Sequence, residues 1–474
     1  MNVSAANPAE ADVRPVIDGL MTAARQAMDA FDNTDQAAID DAVTALAWSI
    51  YEPGRAKHLA ELAVADTGLG NVADKITKNT RKTFGTLRDL LRVKTTGVIS
   101  DEPERGLVKY AKPVGVVGAV CPSTNPAATP VNKAMMAVKG GNAVIIAPSP
   151  AGYATTLATV DYMRHELARA GHPADLVQIL PAPVTKAVTQ ALMEAVDLVV
   201  VTGSQNNVRR AYSSGTPAIG VGAGNVPVII DSSADLGDAA VKITASKIFD
   251  NATSCSSENS VIILDDVYDD AVAALTRAGG YVADSDEKAR IRDQLWVNGK
   301  LNRNLIAKDA AVFARGVGLG PGAEAAKYFM VEEDAVAADS PFTDEKLSLV
   351  LTVYRARDFA DASEKVRQVM AVQGIGHSCG IHTTDLDHAR ALAEELPVVR
   401  VLVNQAHTFG NGGSFDNALN FTLSMGCGSW AGNSISENLG YQHFINVTHL
   451  VTTIAEDKPT EDALFGSYWS EHGR

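Results

Sequence analysis

Cysteine is scarce in this chain. Four occur in 474 residues, at 121, 255, 379 and 427, with no spacing that repeats. That excludes a disulfide framework and fits reduced thiols, so a cytoplasmic setting is expected. Long apolar runs are lacking too: none approaches the roughly 20 residues a membrane-spanning helix needs. The first residues, MNVSAANPAEADVRPV, have neither the basic start nor the apolar core of a secretory signal. Basic blocks are missing and the net charge is −15, which argues against nucleic acid or an anionic membrane as partner. Small anionic ligands stay open, because helix N-termini and glycine-rich turns bind phosphate locally whatever the net charge.

What is present is an ordinary globular composition, 46% hydrophobic and 20% charged, long enough for two or three domains. The first dozen residues, with several Ala, Asn and Pro, are expected to be loose. Residues 17–95 carry amphipathic helical patterns, among them KNTRKTFGTLRDLLRV. From 105 strands and helices alternate: VGVVGAV (114–120), the helix 130–139, AVIIA (143–147), a helix through 155–170, LVQIL (176–180), a helix near 185–194, DLVVVTG (197–203), a helix from Ser204, and PVIID (227–231) closing the series. Continuous apolar strands separated by helices predict an α/β fold with a doubly wound, Rossmann-like parallel sheet, binding its ligand beyond the strands' carboxyl ends. The expected division is a cofactor-binding domain over 1–234, a second α/β domain over 235–428, and a C-terminal segment over 429–474.

Cys255 is the residue most suited to chemistry. It lies in FDNATSCSSENS (249–260), a polar connection between a predicted helix and the strand-like run Val261–Leu264. Val241, Ala245, Ile248 and Phe249 recur at helical spacing, which predicts that they form the buried face, with Asp235 as N-cap. A cysteine among amides and hydroxyls is better placed to react than to fill a core. Cys121 and Cys427 read as structural. His377, Cys379 and His382 form H-x-C-x2-H, but a zinc site draws on two spaced pairs and no second pair exists, so no metal is expected. GVGAGN (220–225) leads into a strand rather than opening a helix, so it reads as a tight turn more than a phosphate cradle. TGSQNNV (202–208) opens a helix and is the better candidate for a pyrophosphate or nicotinamide.

Taken together, PVGVVGAVCPSTNPAATP, GGNAVIIAPSP, DLVVVTGSQNNV, GVGAGNVPVIID, KIFDNATSCSSENSVII, DEKLSLVLTVY, GIGHSCGIHT and GCGSWAGNSISENLG resemble the aldehyde dehydrogenase superfamily, in its CoA-acylating branch. They run in family order from about 105 to 445. The resemblance implies an aldehyde dehydrogenase-like fold whose nucleophile is Cys255. Asn125 then completes the oxyanion hole, and His377 is a histidine that recurs near the acylating active site. Thr124, Pro148, Ser149, Gly203, Ser204, Gly222 and Glu345 fall at cofactor-binding positions, Glu345 on the nicotinamide ribose. It also implies a hairpin arm, for which 98–113 is the candidate, and a homodimer or homotetramer.

Two departures matter. The hydrolytic branch has a glutamate about 35 residues before the nucleophile as base for water; here stands Gly220-Val-Gly-Ala-Gly. Without that base the acyl-enzyme should wait for the thiol of CoA. Ala147 replaces a lysine common in the hydrolytic branch, and IIAPSPAG has no acidic residue to repel a 2′-phosphate, so NADP is favoured slightly over NAD. The loop NATSCSSENS is most like acylating members acting on sulfoacetaldehyde, with Ser254 and Ser256 among hydroxyls suited to a sulfonate through neutral hydrogen bonds. Acetaldehyde, propionaldehyde and succinate semialdehyde are the alternative substrates. A hydrolytic enzyme, an acyl-phosphate-linked one and a non-catalytic scaffold are the alternative readings.

Overall fold

The computed structural model describes residues 13–474, so the dozen residues expected to be loose lie outside it. Four helices come first: Arg14–Phe31, Gln36–Tyr51, Pro53–Thr67 and Val72–Leu91. Asp35, Glu52 and Asn71 cap the last three by accepting from backbone N–H groups of their first turns. None of the described helices is long and apolar enough to cross a membrane.

A five-stranded parallel sheet follows, in the spatial order Val177–Ile179, Ala143–Ala147, Val116–Val120, Leu198–Val201, Ala218–Gly220. Its three inner strands are buried at every residue, as a sheet covered on both faces requires. The winding reverses between Val116–Val120 and Leu198–Val201, which makes the crevice beyond those two strand ends the expected ligand site. Lys133 is buried beneath it, donating to the carbonyls of Val120 (2.6 Å) and Val200 (3.0 Å).

One strand falls elsewhere than expected. Val226–Ile230, the PVIID run that was to close this series, pairs with Glu258–Leu264 and Gly376–His382 inside a seven-stranded parallel sheet. The three-residue strand Ala218–Gly220 takes its place at the edge. An apolar run announces a buried strand but not the sheet that buries it, and the turn Val221–Asn225 carries the chain across. The other strands of the seven are Gly280–Val282, Tyr328–Glu333, Val350–Ala356 and Val398–Val403.

The third sheet is antiparallel: Gly97–Glu102, Leu107–Pro113 and Ile445–Val451. The 98–113 segment is therefore a hairpin, joined by a strand from the C-terminal region. Its outer strand Ile445–Val451 is exposed at six of seven residues, and so is the helix Glu461–His472 over most of its length.

Candidate active site

The loop that carries Cys255 is built by a sharp reversal. The helix Leu236–Ile248 starts at Asp235, whose side chain accepts from Asp238 N at 3.0 Å, as the sequence suggested. Its buried face is not the one the apolar spacing pointed to. Val241 is 64% exposed, while Ser246 and Lys247 are buried. The polar residues turn inward because they have partners there: Lys247 Nζ donates to Glu258 O at 2.8 Å, and Ser246 joins the Glu258 carboxylate and Thr408 N. Burial pushes Lys247 down and Glu258 up, each to about 7.

Beyond the helix, Asp250, Asn251 and Ala252 all take left-handed backbone conformations, φ 48°, 53° and 59°. Such conformations cost of order 1–3 kcal/mol each in non-glycine residues and persist where surroundings over-determine them. The Asp250 carboxylate is what fixes the turn. It accepts from Lys75 Nζ (3.0 Å), Lys78 Nζ (2.6 Å), Thr253 Oγ1 (2.8 Å) and Asn71 N (3.0 Å). Burial alone would raise its pKa, but Lys78 and Lys75 outweigh that and hold it below the usual carboxylate range.

Cys255 follows directly and is partly enclosed. Burial, then Glu345 and Cys427, push its thiol up to about 12, against the pull of Arg400. The polar sequence around it had suggested a ready thiolate; the folded environment keeps the resting group a thiol. Most of those hydroxyls are committed inward. Thr253 bonds Asp250, Ser256 Oγ lies 3.2 Å from Met425 sulfur and accepts from Asn411 at 3.0 Å, and Ser254 alone of the three lines the adjoining cavity.

The remaining expected residues converge to different degrees. Asn125 follows the strand Val116–Val120 and lines the same cavity as Ser254, its Oδ1 buried without a partner. Its neighbour Thr124 offers its carbonyl to Lys75 at 3.2 Å, tying the two loops through one helix. Gly203 and Ser204 lie beyond Leu198–Val201, across the winding reversal, where Ser204 caps the helix Gln205–Tyr212. Pro148 and Ser149 follow Ala143–Ala147 on the same edge of the sheet. Glu345 is raised to about 8, first by burial and then by Asp344, and accepts from Gln373 Nε2 at 3.3 Å. The same Gln373 nitrogen reaches Gly224 O at 3.1 Å, so Glu345 is joined to the glycine turn.

That turn packs hard against the nucleophile. A Cβ on Gly224 would lie 2.0 Å from Cys255 O, and one on Gly222 would lie 2.7 Å from Cys427 Sγ. The glycines of 220–225 are thus a close backbone approach, and side chains at 222 and 224 have no room.

His377 is buried in the strand Gly376–His382. Its Nδ1 meets Ser378 Oγ at 2.8 Å, Ser378 meets His407 Nε2 at 2.9 Å, and His377 Nε2 has no partner. Burial, Arg400 and His407 hold it well below the ordinary histidine range, hence neutral. His377 and His382 are five residues apart in one strand and so face opposite sides of the sheet.

Four contributors escaped the sequence reading. Asp250 and Gln373 carried no motif. Cys427, taken as structural, is near enough to bear on Cys255. Arg400 is 5% exposed and holds His377 O and Gly426 O at 2.9 Å each while its charge bears on both cysteines. An arginine inside the strand VVRVLV was the one available signal, since a buried arginine needs partners.

A model of the aldehyde dehydrogenase family matches residues 4–291. The chain belongs to the aldehyde dehydrogenase family. It is 52% identical over 468 residues to an acylating sulfoacetaldehyde dehydrogenase of Cupriavidus necator, covering 98% of this chain and 95% of that one. A second acylating sulfoacetaldehyde dehydrogenase, from Bilophila wadsworthia, is 42% identical over 459 residues, 96% of this chain and 98% of its own. Among solved structures, an acetylating aldehyde dehydrogenase of Geobacillus thermoglucosidasius superposes with a TM-score of 0.90 at 34% identity, covering 94% of this chain and 98% of that one. The two parallel sheets, five-stranded and seven-stranded, are therefore the aldehyde dehydrogenase architecture.

Proposed function

We propose that this chain is a CoA-acylating aldehyde dehydrogenase that converts sulfoacetaldehyde, CoA and an oxidised nicotinamide dinucleotide into sulfoacetyl-CoA, the reduced dinucleotide and a proton. The observation that carries the acylating reading is the glycine turn. Where the hydrolytic branch keeps a carboxylate to activate water, this chain has Gly220, and the turn that follows presses Gly224 onto the Cys255 backbone, leaving no room for a side chain there. The full-length similarity to acylating sulfoacetaldehyde dehydrogenases supports the substrate.

The Cys255 thiol gives up its proton to solvent, its sulfur adds to the aldehyde carbon as the carbonyl pair moves to oxygen, and the oxyanion is held by the Asn125 amide and the Cys255 N–H. Collapse of that adduct breaks the C–H bond, expels the electron pair as hydride and leaves a thioester on Cys255. When bound, the oxidised nicotinamide supplies the hydride acceptor. The sulfur of CoA then attacks the thioester carbon and Cys255 leaves. His377, whose Nε2 has no partner among the described residues, would take the proton of the incoming thiol.

The crevice fits a dinucleotide. The turn at Gly203 is open, since a Cβ there would meet nothing nearer than Pro122 at 3.8 Å. Thr124, Gly203, Ser204 and Gly222 would hold the nicotinamide half with Glu345 on its ribose, and Pro148 and Ser149 would hold the adenosine end. With no carboxylate beside Ser149 in IIAPSPAG, NADP is favoured over NAD. The hairpin 97–113 with its third strand, exposed at Val98, Val447 and Leu450, is proposed to pair subunits into a homo-oligomer.

The test is a panel of sulfoacetaldehyde, acetaldehyde, propionaldehyde and succinate semialdehyde, each with saturating CoA and each cofactor. The expected result is the highest kcat/KM on sulfoacetaldehyde. A faster reaction on acetaldehyde would remove the substrate assignment.

A further inference from the structure

A small cavity, about 30 Å³, opens beside the loop that carries Cys255. Asn125 and Ser254 bound it on the reacting side, and Phe249, Phe409 and Leu423 give it apolar walls. Its far side is the helix Val72–Leu91, which contributes Lys78, Arg81 and Lys82. These three stand at i, i+3 and i+4, so they share one face of the helix.

Three like charges facing an enclosed space repel one another, and burial makes that costly unless anions balance them. The balance within the chain is incomplete. Asp250 is a single carboxylate shared between Lys75 and Lys78. Arg81 reaches Asp416 only through Ser414, to which it donates at 2.8 Å, and spreads its face over Phe409, Phe415 and Phe421. Lys82 donates only to the carbonyls of Gly412 (2.9 Å) and Gly413 (3.4 Å). Among the described residues neither Arg81 nor Lys82 is ion-paired. The surplus is felt at Lys82: burial, then Arg81 and Lys78, pull it down to about 7.

We propose that Lys82 and Arg81 receive the anionic tail of the aldehyde, the sulfonate in the reading above, while its carbonyl lies between Cys255 and Asn125. The inference rests on that reading for the identity of the anion. A guanidinium and an ammonium on one helix face give a sulfonate charge-assisted hydrogen bonds, stronger than the neutral ones the loop hydroxyls offered. The anion would supply the missing partner of both cations. An uncharged aldehyde would leave them as they are, so the cavity discriminates by charge as well as by size.

The experiment measures kcat/KM on sulfoacetaldehyde and on acetaldehyde for the wild type, Lys82→Met, Arg81→Met and Lys82→Arg. Either methionine variant should lower the sulfoacetaldehyde-to-acetaldehyde ratio by about 100-fold, mainly through KM for sulfoacetaldehyde, and Lys82→Arg should restore much of it. A ratio that stays constant while both activities fall would overturn the proposal and leave the cations a structural role. Ethanesulfonate gives a measurement that needs no variant: it should compete with the aldehyde in the wild type, where uncharged ethyl methyl sulfone does not. Equal effects of the two would also overturn it. Should the wild type prefer succinate semialdehyde, and Lys82→Met abolish that preference, the anion site stands and the sulfonate reading falls.

Discussion

The two sides of the loop that carries Cys255 are charged differently, one with an excess of cations and the other with acids and bases in equal number. Toward the helix Val72–Leu91 the loop faces Lys75, Lys78, Arg81 and Lys82, with Asp250 as the carboxylate among them. Toward the seven-stranded sheet it faces the carboxyls of Glu345 and Glu258, both raised by burial, and the buried Lys247 and Lys346. On the first side an opposite charge is pinned and a cavity remains. On the second, the groups are packed and pressed toward neutrality. The difference lies in balance: the first side keeps more cations than carboxylates and so suits an anionic ligand, while the second pairs acids with bases around the thiol.

The comparison can be broken most severely at its centre. Cys255→Ala should reduce turnover by on the order of 10⁴-fold or more, with the circular dichroism spectrum and dinucleotide binding kept. Turnover near wild type would remove the covalent mechanism. Next comes the cationic side. Asp250→Asn leaves Lys75 and Lys78 without their carboxylate and frees the left-handed turn, so it should cost about 3–5 kcal/mol of stability, read as the shift in a urea midpoint. A shift no larger than that of a surface substitution would show that Asp250 does not pin the loop. Asn125→Ala should then lower kcat by about 10²–10³ with the fold unchanged; an unaltered kcat would exclude Asn125 from the oxyanion hole.

The mildest test bears on the neutralised side. With the Cys255 pKa raised to about 12, the thiolate is a small fraction that grows tenfold for each pH unit below that value. Alkylation of Cys255 by iodoacetamide in the cofactor-free protein should therefore still be rising, about 100-fold between pH 7 and 9, whereas an unperturbed thiol would begin to level near 8.5. A plateau below pH 8 would mean that the environment activates the thiol rather than restraining it.

Much of this was legible in the sequence, and the limits follow from physics. Strands such as AVIIA and LVVV are continuous apolar runs whose burial leaves little freedom, and the series from 114 to 212 is legible in order, whereas the three-residue edge strand Ala218–Gly220 is not. The sheet that takes PVIID was not legible, because membership is decided by residues 260 and 380, far along the chain. The residues proposed for the reaction, Cys255, Asn125 and Glu345, stand in local motifs, which is why the sequence points to them. Lys78, Arg81 and Lys82 do not. On a helix, charges at that spacing read as a solvated face, and only the arrival of Asp250 and the cavity at that face makes them a wall. The helix before Cys255 and its Asp235 cap are legible, but its inward face is not, for the converse reason: Ser246 and Lys247 look like surface residues until Glu258 is brought beside them.

The central claim is that Cys255 hands its acyl group to a thiol because no carboxylate stands at Gly220 to activate water. It is tested most directly by following reduced dinucleotide from sulfoacetaldehyde in the wild-type enzyme with and without CoA. The account predicts at most a single-turnover burst without CoA, and sustained formation of one sulfoacetyl-CoA per reduced dinucleotide with it. Sustained turnover without CoA, yielding sulfoacetate, would contradict it.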